Sequence, residues 1–256
     1  LLHEGPGLID PLGFLLSVYK NDFPGRWTFA LGLTVYDLLA MRWEHGFYSP
    51  QDFEMLAPHV ARKNLEGGFR YADAQTDDAR LTLRVLQEAC AVNHAGAINQ
   101  SRAEVQCNAY AINYVKAESL LHSNGLVDGA VLHDLESGER VEVHARVVIN
   151  ATGAWADHLR GQVGGEARIR PLRGCHLIFP AWRLPLAQAI SFLHPLDRRP
   201  VFIFPWEGVV LIGTTDMDHP HNLDEEPTIS PEEVSYLMAA VESEFPSLDI
   251  GLEDVL

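Results

Sequence analysis

The sequence is short of cysteine, short of basic residues and without a long apolar run, and each shortage excludes something. Three cysteines among 256 residues (Cys90, Cys107 and Cys175) are odd in number and widely spaced. They favour a reducing compartment and argue against a disulfide framework or a structural zinc site. Lysine and arginine total 19 against 35 aspartates and glutamates, a formal net charge of −16. A field of that sign repels nucleic acid and, on average, anionic lipid, so a phosphate site has to be a local basic pocket. The most apolar candidate for a membrane span, Phe29 to Met41, contains Asp37 and is shorter than the ~20 residues a span needs. No signal peptide is legible after Leu1. Also missing is G-x-G-x-x-G after a strand, the signature of a dinucleotide-binding βαβ unit. Gly5-Pro6-Gly7-Leu8-Ile9-Asp10 begins like it, but Asp10 stands at the third glycine and no strand precedes it.

What is present is ordinary globular composition, 47% hydrophobic and 21% charged, enough for one large domain or two modest ones. The patterning is α/β. Phe14–Tyr19 reads as a strand, and Trp27 to Glu44 carries apolar residues at helical spacing. That helix reads as core-facing, with membrane contact as the alternative. Ser49-Pro50 and Ser230-Pro231-Glu232-Glu233 have the cap chemistry of helix starts, the first helix ending before Pro58 and the second before Pro246. Residues 68–75 alternate as a strand, and 77–91 form a helix with an acidic first turn. Residues 111–148 read as a β-meander with turns at Asn124-Gly125 and Ser137-Gly138. A strand kinked at Gly174 is expected over 169–180, and a hairpin around Pro205-Trp206-Glu207-Gly208.

The stretch Val147-Val148-Ile149-Asn150-Ala151-Thr152-Gly153-Ala154-Trp155-Ala156-Asp157 organises this pattern. Three β-branched residues predict a strand covered on both faces, followed by a turn of small residues and a helix start. Ligands bind at such strand ends in α/β sheets, although an ordinary strand-to-helix turn reads the same way.

This stretch resembles the second flavin-contacting segment of the glycine/D-amino-acid-oxidase type of FAD enzymes. Three further stretches narrow the likeness: Gly67-Gly68-Phe69-Arg70-Tyr71 with Asp77-Asp78-Ala79-Arg80-Leu81, Arg170-Pro171-Leu172-Arg173-Gly174-Cys175-His176-Leu177, and Val201-Phe202-Ile203-Phe204-Pro205-Trp206 running to Ile212-Gly213-Thr214-Thr215-Asp216. Together, and in this order, they resemble the aerobic, quinone-linked, FAD-dependent glycerol-3-phosphate dehydrogenases over nearly the whole chain. Against that family, 92–110 is an inserted polar segment with helix or loop expected.

The resemblance implies an α/β flavoprotein of FAD-oxidoreductase type, with a mixed β-sheet substrate domain and part of an FAD domain. Residues 1–76 would be a mixed segment belonging to the substrate domain. Residues 77–160 would belong to the FAD domain, with a helix, a β-meander and a returning strand. Residues 161–256 would form a substrate-binding sheet with a C-terminal helix. Because the pyrophosphate-cradling unit is missing, the chain reads as a piece of such an enzyme, inactive alone. The implied cofactor is FAD, contacted by Ala151, Thr152, Gly153, Trp155 and Gly174. The implied substrate is glycerol 3-phosphate and the implied acceptor a quinone, in a cytoplasmic protein peripheral to the inner face of the membrane. The rivals are a relative acting on an amine or a 2-hydroxy acid, and a non-catalytic binding module.

Oxidising a secondary alcohol needs a base for the hydroxyl proton, and histidine suits that role near neutral pH. Of twelve histidines, His176 follows Gly174 and shares a strand face with Ile178. On the residues alone a structural histidine is the readier account; the resemblance puts it at the flavin's reactive edge. Arg173 fits either the substrate phosphate or a structural ion pair. Thr214-Thr215-Asp216 suits holding a loop through side-chain to backbone bonds. The acid and imidazole run from Asp216 to His221 has no recognisable metal-ligand spacing, and no metal is expected there.

Overall fold

A computed structural model of the protein describes residues 5–98 and 110–256, with the backbone alone over 90–98. The strands are β1 (Ile9–Tyr19), β2 (Gly46–Tyr48), β3 (Leu65–Thr76), β4 (Val115–Ser123), β5 (Leu126–Asp134), β6 (Arg140–His144), the two-residue β7 (Leu172–Arg173), β8 (His176–Pro180), β9 (Ala189–Leu193), β10 (Pro200–Trp206) and β11 (Val209–Gly213). The helices are α1 (Arg26–Ala40), α2 (Pro50–Leu56), α3 (Asp78–Ile98), α4 (Ala156–Gln162) and α5 (Pro231–Glu244). The chain divides into two compact units. One joins residues 1–77, 172–217 and 227–256; the other joins 78–171 and 218–226.

The first unit is built on a seven-stranded sheet in the order β2-β3-β1-β9-β10-β11-β8. The β1–β9 pair is parallel and the neighbours on either side pair antiparallel, so the sheet is mixed, as the α/β pattern predicts. Alternation gives the sheet two unlike faces. Leu15, Leu177, Ile190, Ile203, Val210 and Ile212 point to one, where Leu237 and Val241 of α5 and Phe53 of α2 complete the main core. The other carries Phe14, Tyr71, Phe202, Phe204, Leu211 and His176, and is covered only in part, where Phe29 and Leu33 of α1 pack on Leu16, Val18 and Phe69.

Local chemistry explains the helix boundaries. The Ser49 hydroxyl accepts the Asp52 N–H at 3.3 Å, with Pro50 at the first helical position of α2. In α5, Ser230 and Glu233 satisfy each other's backbone N–H groups in a full capping box. Helix α1 stops at Met41, whose φ of 53° is left-handed, and the buried Asp37 carboxylate accepts the Glu44 and His45 N–H groups that follow.

The second unit holds α3, the meander β4-β5-β6 and α4. Asn124 and Gly125 both take positive φ, as a two-residue turn between β4 and β5 requires. The returning strand expected at Val147–Ile149 does not form. This run is irregular, and Val147 and Ile149 are 73% and 82% exposed. A strand needs a hydrogen-bonded neighbour, and among the described residues none pairs with it, so its β-branched composition has no ladder to join. Two boundaries also move: the first meander strand starts at Val115 rather than Ala111, and α3 runs to Ile98. The remainder of the 92–110 segment, 99–109, lies outside the described residues.

Candidate active site

His176 opens β8 on the less covered face, immediately after the break that Gly174 and Cys175 make between β7 and β8. It is one wall of a cavity of about 760 Å³ whose floor is aromatic: Phe14, Tyr71, Phe202 and Phe204, with Asp73 and Thr214 among the polar groups. Phe14 stacks on Tyr71 at 5.2 Å and meets Phe202 edge-on at 6.2 Å. The His176 ring stands edge-on to Phe204 at 6.4 Å. Burial pushes the imidazole below its ordinary pKa, so at neutral pH it is uncharged and able to take a proton. At another part of the cavity, burial and the Asp73 carboxylate, which accepts the Tyr36 hydroxyl, push that phenol's pKa up.

Beneath the His176 segment runs a polar chain. Arg173 pairs with Glu233 at 2.8 Å, and Glu233, 2% exposed, also accepts the Ser230 N–H and the Thr215 hydroxyl at 2.9 Å each. The Thr215 hydroxyl in turn accepts the Cys175 N–H at 2.9 Å. A β-carbon on Gly174 would lie 2.8 Å from the Thr215 carbonyl oxygen, so glycine there lets two chain segments touch. Of the two roles open to Arg173, the geometry displays the structural pair. Thr215 holds the loop before β8, as its place after an apolar strand suggested. Asp216 and Asp218 are engaged by Arg199 and Arg170. Among the described residues no group of three or more potential metal ligands occurs.

The remaining sequence candidates belong to the second unit. The Asn150 side chain accepts the Thr152 hydroxyl at 2.8 Å and donates to the Ala156 carbonyl at 2.9 Å, closing the turn over Ala151–Trp155. Gly153 has φ 58°, and a β-carbon there would meet nothing within 4 Å. The Trp155 indole donates to Asp224 at 2.9 Å. Arg173, Gly174 and His176 therefore share the first unit, and Ala151, Thr152, Gly153 and Trp155 the second. Sequence reading missed Phe14, Tyr71 and Asp73 as cavity residues. Alternation in β3 puts Tyr71 and Asp73 on one side, but only the successive registers from β3 through β1, β9, β10 and β11 to β8 bring them to the face of His176.

Residues 30–256 match the model of the FAD dependent oxidoreductase family. The chain belongs to that family. Among its relatives, the aerobic glycerol-3-phosphate dehydrogenases of Bacillus subtilis (strain 168) and Staphylococcus epidermidis are each 32% identical to it, over 98% of this chain and 43% of theirs. The structure of the glycerol-3-phosphate dehydrogenase from Bacillus halodurans complexed with FAD superposes with a TM-score of 0.78 at 29% identity, covering 99% of this chain and 44% of that one. The L-proline dehydrogenase from P. horikoshii shares the fold at a TM-score of 0.69 and 16% identity. The chain thus spans less than half the length of the curated relatives it matches.

Proposed function

We propose that the full-length protein containing this chain oxidises sn-glycerol 3-phosphate to dihydroxyacetone phosphate with FAD, and that the electrons pass to a quinone. The observation that carries the reading is His176: neutral, half sheltered and set at the edge of an aromatic cavity, within a chain similar to enzymes named for this activity. Ala151, Thr152, Gly153 and Trp155 would hold the cofactor, at a turn where a β-carbon on Gly153 would meet nothing within 4 Å. When bound, FAD supplies the hydride acceptor. His176 removes the C2-hydroxyl proton, the aromatic floor excludes water, and the Arg173–Glu233–Thr215 chain fixes the loop from which His176 projects. In the full-length, FAD-loaded enzyme, His176→Gln should lower kcat by about 10²- to 10⁴-fold, measured with a dye acceptor. Near-normal turnover would remove it as the base. Reduction of a soluble quinone analogue under anaerobic turnover tests the acceptor.

A second reading is favoured by one observation: among the described residues, those lining the cavity include no lysine or arginine but do include Asp73. A carboxylate among aromatic rings suits an ammonium group better than a phosphate. A substrate screen that finds turnover of amines and none of glycerol 3-phosphate would establish this alternative.

We also infer peripheral contact with the inner face of the cytoplasmic membrane through α1 and the turn after it. Trp27, Leu31, Leu39, Met41 and Trp43 are exposed there, two of them the tryptophans that interfacial helices favour. No helix among the described residues is long and apolar enough to cross a membrane.

A further inference from the structure

We propose that Gly213 is a positioning residue for His176: by carrying no side chain it leaves the space in which the imidazole lies, against the edge of Phe204. The inference rests on the reading of His176 as the base. Gly213 is the cross-strand partner of His176 in the β11–β8 pair, so both face the cavity. A β-carbon at 213 would lie 2.5 Å from His176 Cδ2 and 2.9 Å from Nε2, far inside the ~3.5–4.0 Å at which carbon atoms rest together. The φ of Gly213 is outside the left-handed region. Elsewhere on this face of β11 the chain carries the side chains of Val209 and Leu211. A glycine in a strand interior gives up packing, and marks close approach by another group; here that group is the imidazole. Phe204 meets the ring nearly at right angles, 87° between planes, from β10 on the far side of β11.

A methyl group at 213 collides most closely with the outer part of a side chain that rotates about χ1, and also lies 3.0 Å from the Cys175 carbonyl oxygen. The ring can swing away while that carbonyl has to give by a few tenths of an ångström, so a thermal melt of Gly213→Ala measures the backbone cost apart from the effect on His176. Misplacing a reacting group by about an ångström costs on the order of 10²-fold in rate. The other titratable groups of the cavity are Tyr36 on α1 and Tyr71 and Asp73 on β3, with Cys175 beside His176 in the chain; the lowered pKa of the ring has burial as its cause.

The test compares wild type, Gly213→Ala, His176→Gln and the double variant. In the FAD-loaded enzyme, Gly213→Ala should lower kcat about 10- to 100-fold with KM nearly unchanged, and should cost nothing further on the His176→Gln background. In flavin-free protein, NMR titration of the His176 ring should move upward in Gly213→Ala, as the imidazole turns out to water. An equal loss in both backgrounds would mean that Gly213 acts independently of the ring, and unchanged turnover and titration would mean that the methyl group is tolerated; either overturns the proposal. Should Gly213→Ala fail to fold, Phe204→Leu serves instead: a fall in kcat that vanishes on the His176→Gln background supports the arrangement, and a persistent one refutes it. Normal turnover in His176→Gln removes the base itself and the positioning role with it, whereas low turnover there beside a normal Gly213→Ala removes the positioning role alone.

Discussion

Glu244 sits in the last turn of α5, its residue 2% exposed, and accepts the Ser17 hydroxyl at 2.8 Å. Burial pushes its pKa from the ordinary 4.5 up to about 8. The folded state therefore holds a proton that the unfolded chain releases above pH 4.5. Stability from this group is full below pH 4.5, declines as pH rises and is lost by about pH 8. Glu244→Gln should thus gain stability over wild type, on the order of a few kcal/mol at pH 8.5, and little at pH 4.5. Paired thermal melts at the two pH values check this; an equal gain at both would mean that the carboxyl is ionised throughout. At this scale the sequence was only partly legible. His176 stood out among twelve histidines through the family likeness, since no local rule separates a base from a core histidine. Gly213 was invisible because its meaning depends on which residue the register sets opposite it.

Helix boundaries were the most readable elements, because a cap is a local bargain between residues three apart. Ser230→Ala should cost about 1 kcal/mol in urea unfolding. Glu233→Ala should cost more, about 3–5 kcal/mol, because Arg173 would be left partly buried without its partner. A loss no larger than that of Ser230→Ala would show that the Arg173 pair adds nothing. Strands were less readable, for the opposite reason. Val147–Ile149 has strand composition and forms none, while β9 (Ala189–Leu193), a central strand, was not expected from its sequence. Both outcomes are decided by partners distant in sequence, and β9 finds β1 on one side and β10 on the other.

For the molecule as a whole, the net charge of −16 and the apolar side of α1 pull in opposite directions at a lipid surface. Binding of the FAD-loaded protein to vesicles should be stronger on zwitterionic than on anionic lipid at low salt, and the gap should narrow as salt shortens the Debye length to ~8 Å. Trp27→Ser with Leu31→Ser should weaken both. Binding that ignores these substitutions would place the contact elsewhere.

The parallel join between Phe14–Leu16 and Ala189–Ser191 has a temporal consequence. A ribosome delivers β1 long before its neighbour exists, and at ~5–20 residues per second the wait is on the order of ten seconds or more. Through that interval the nascent chain presents a bare apolar edge that chaperones recognise and that invites wrong pairing. Slowing or pausing translation between the two strands should therefore lower the yield of folded protein more than pausing after β11.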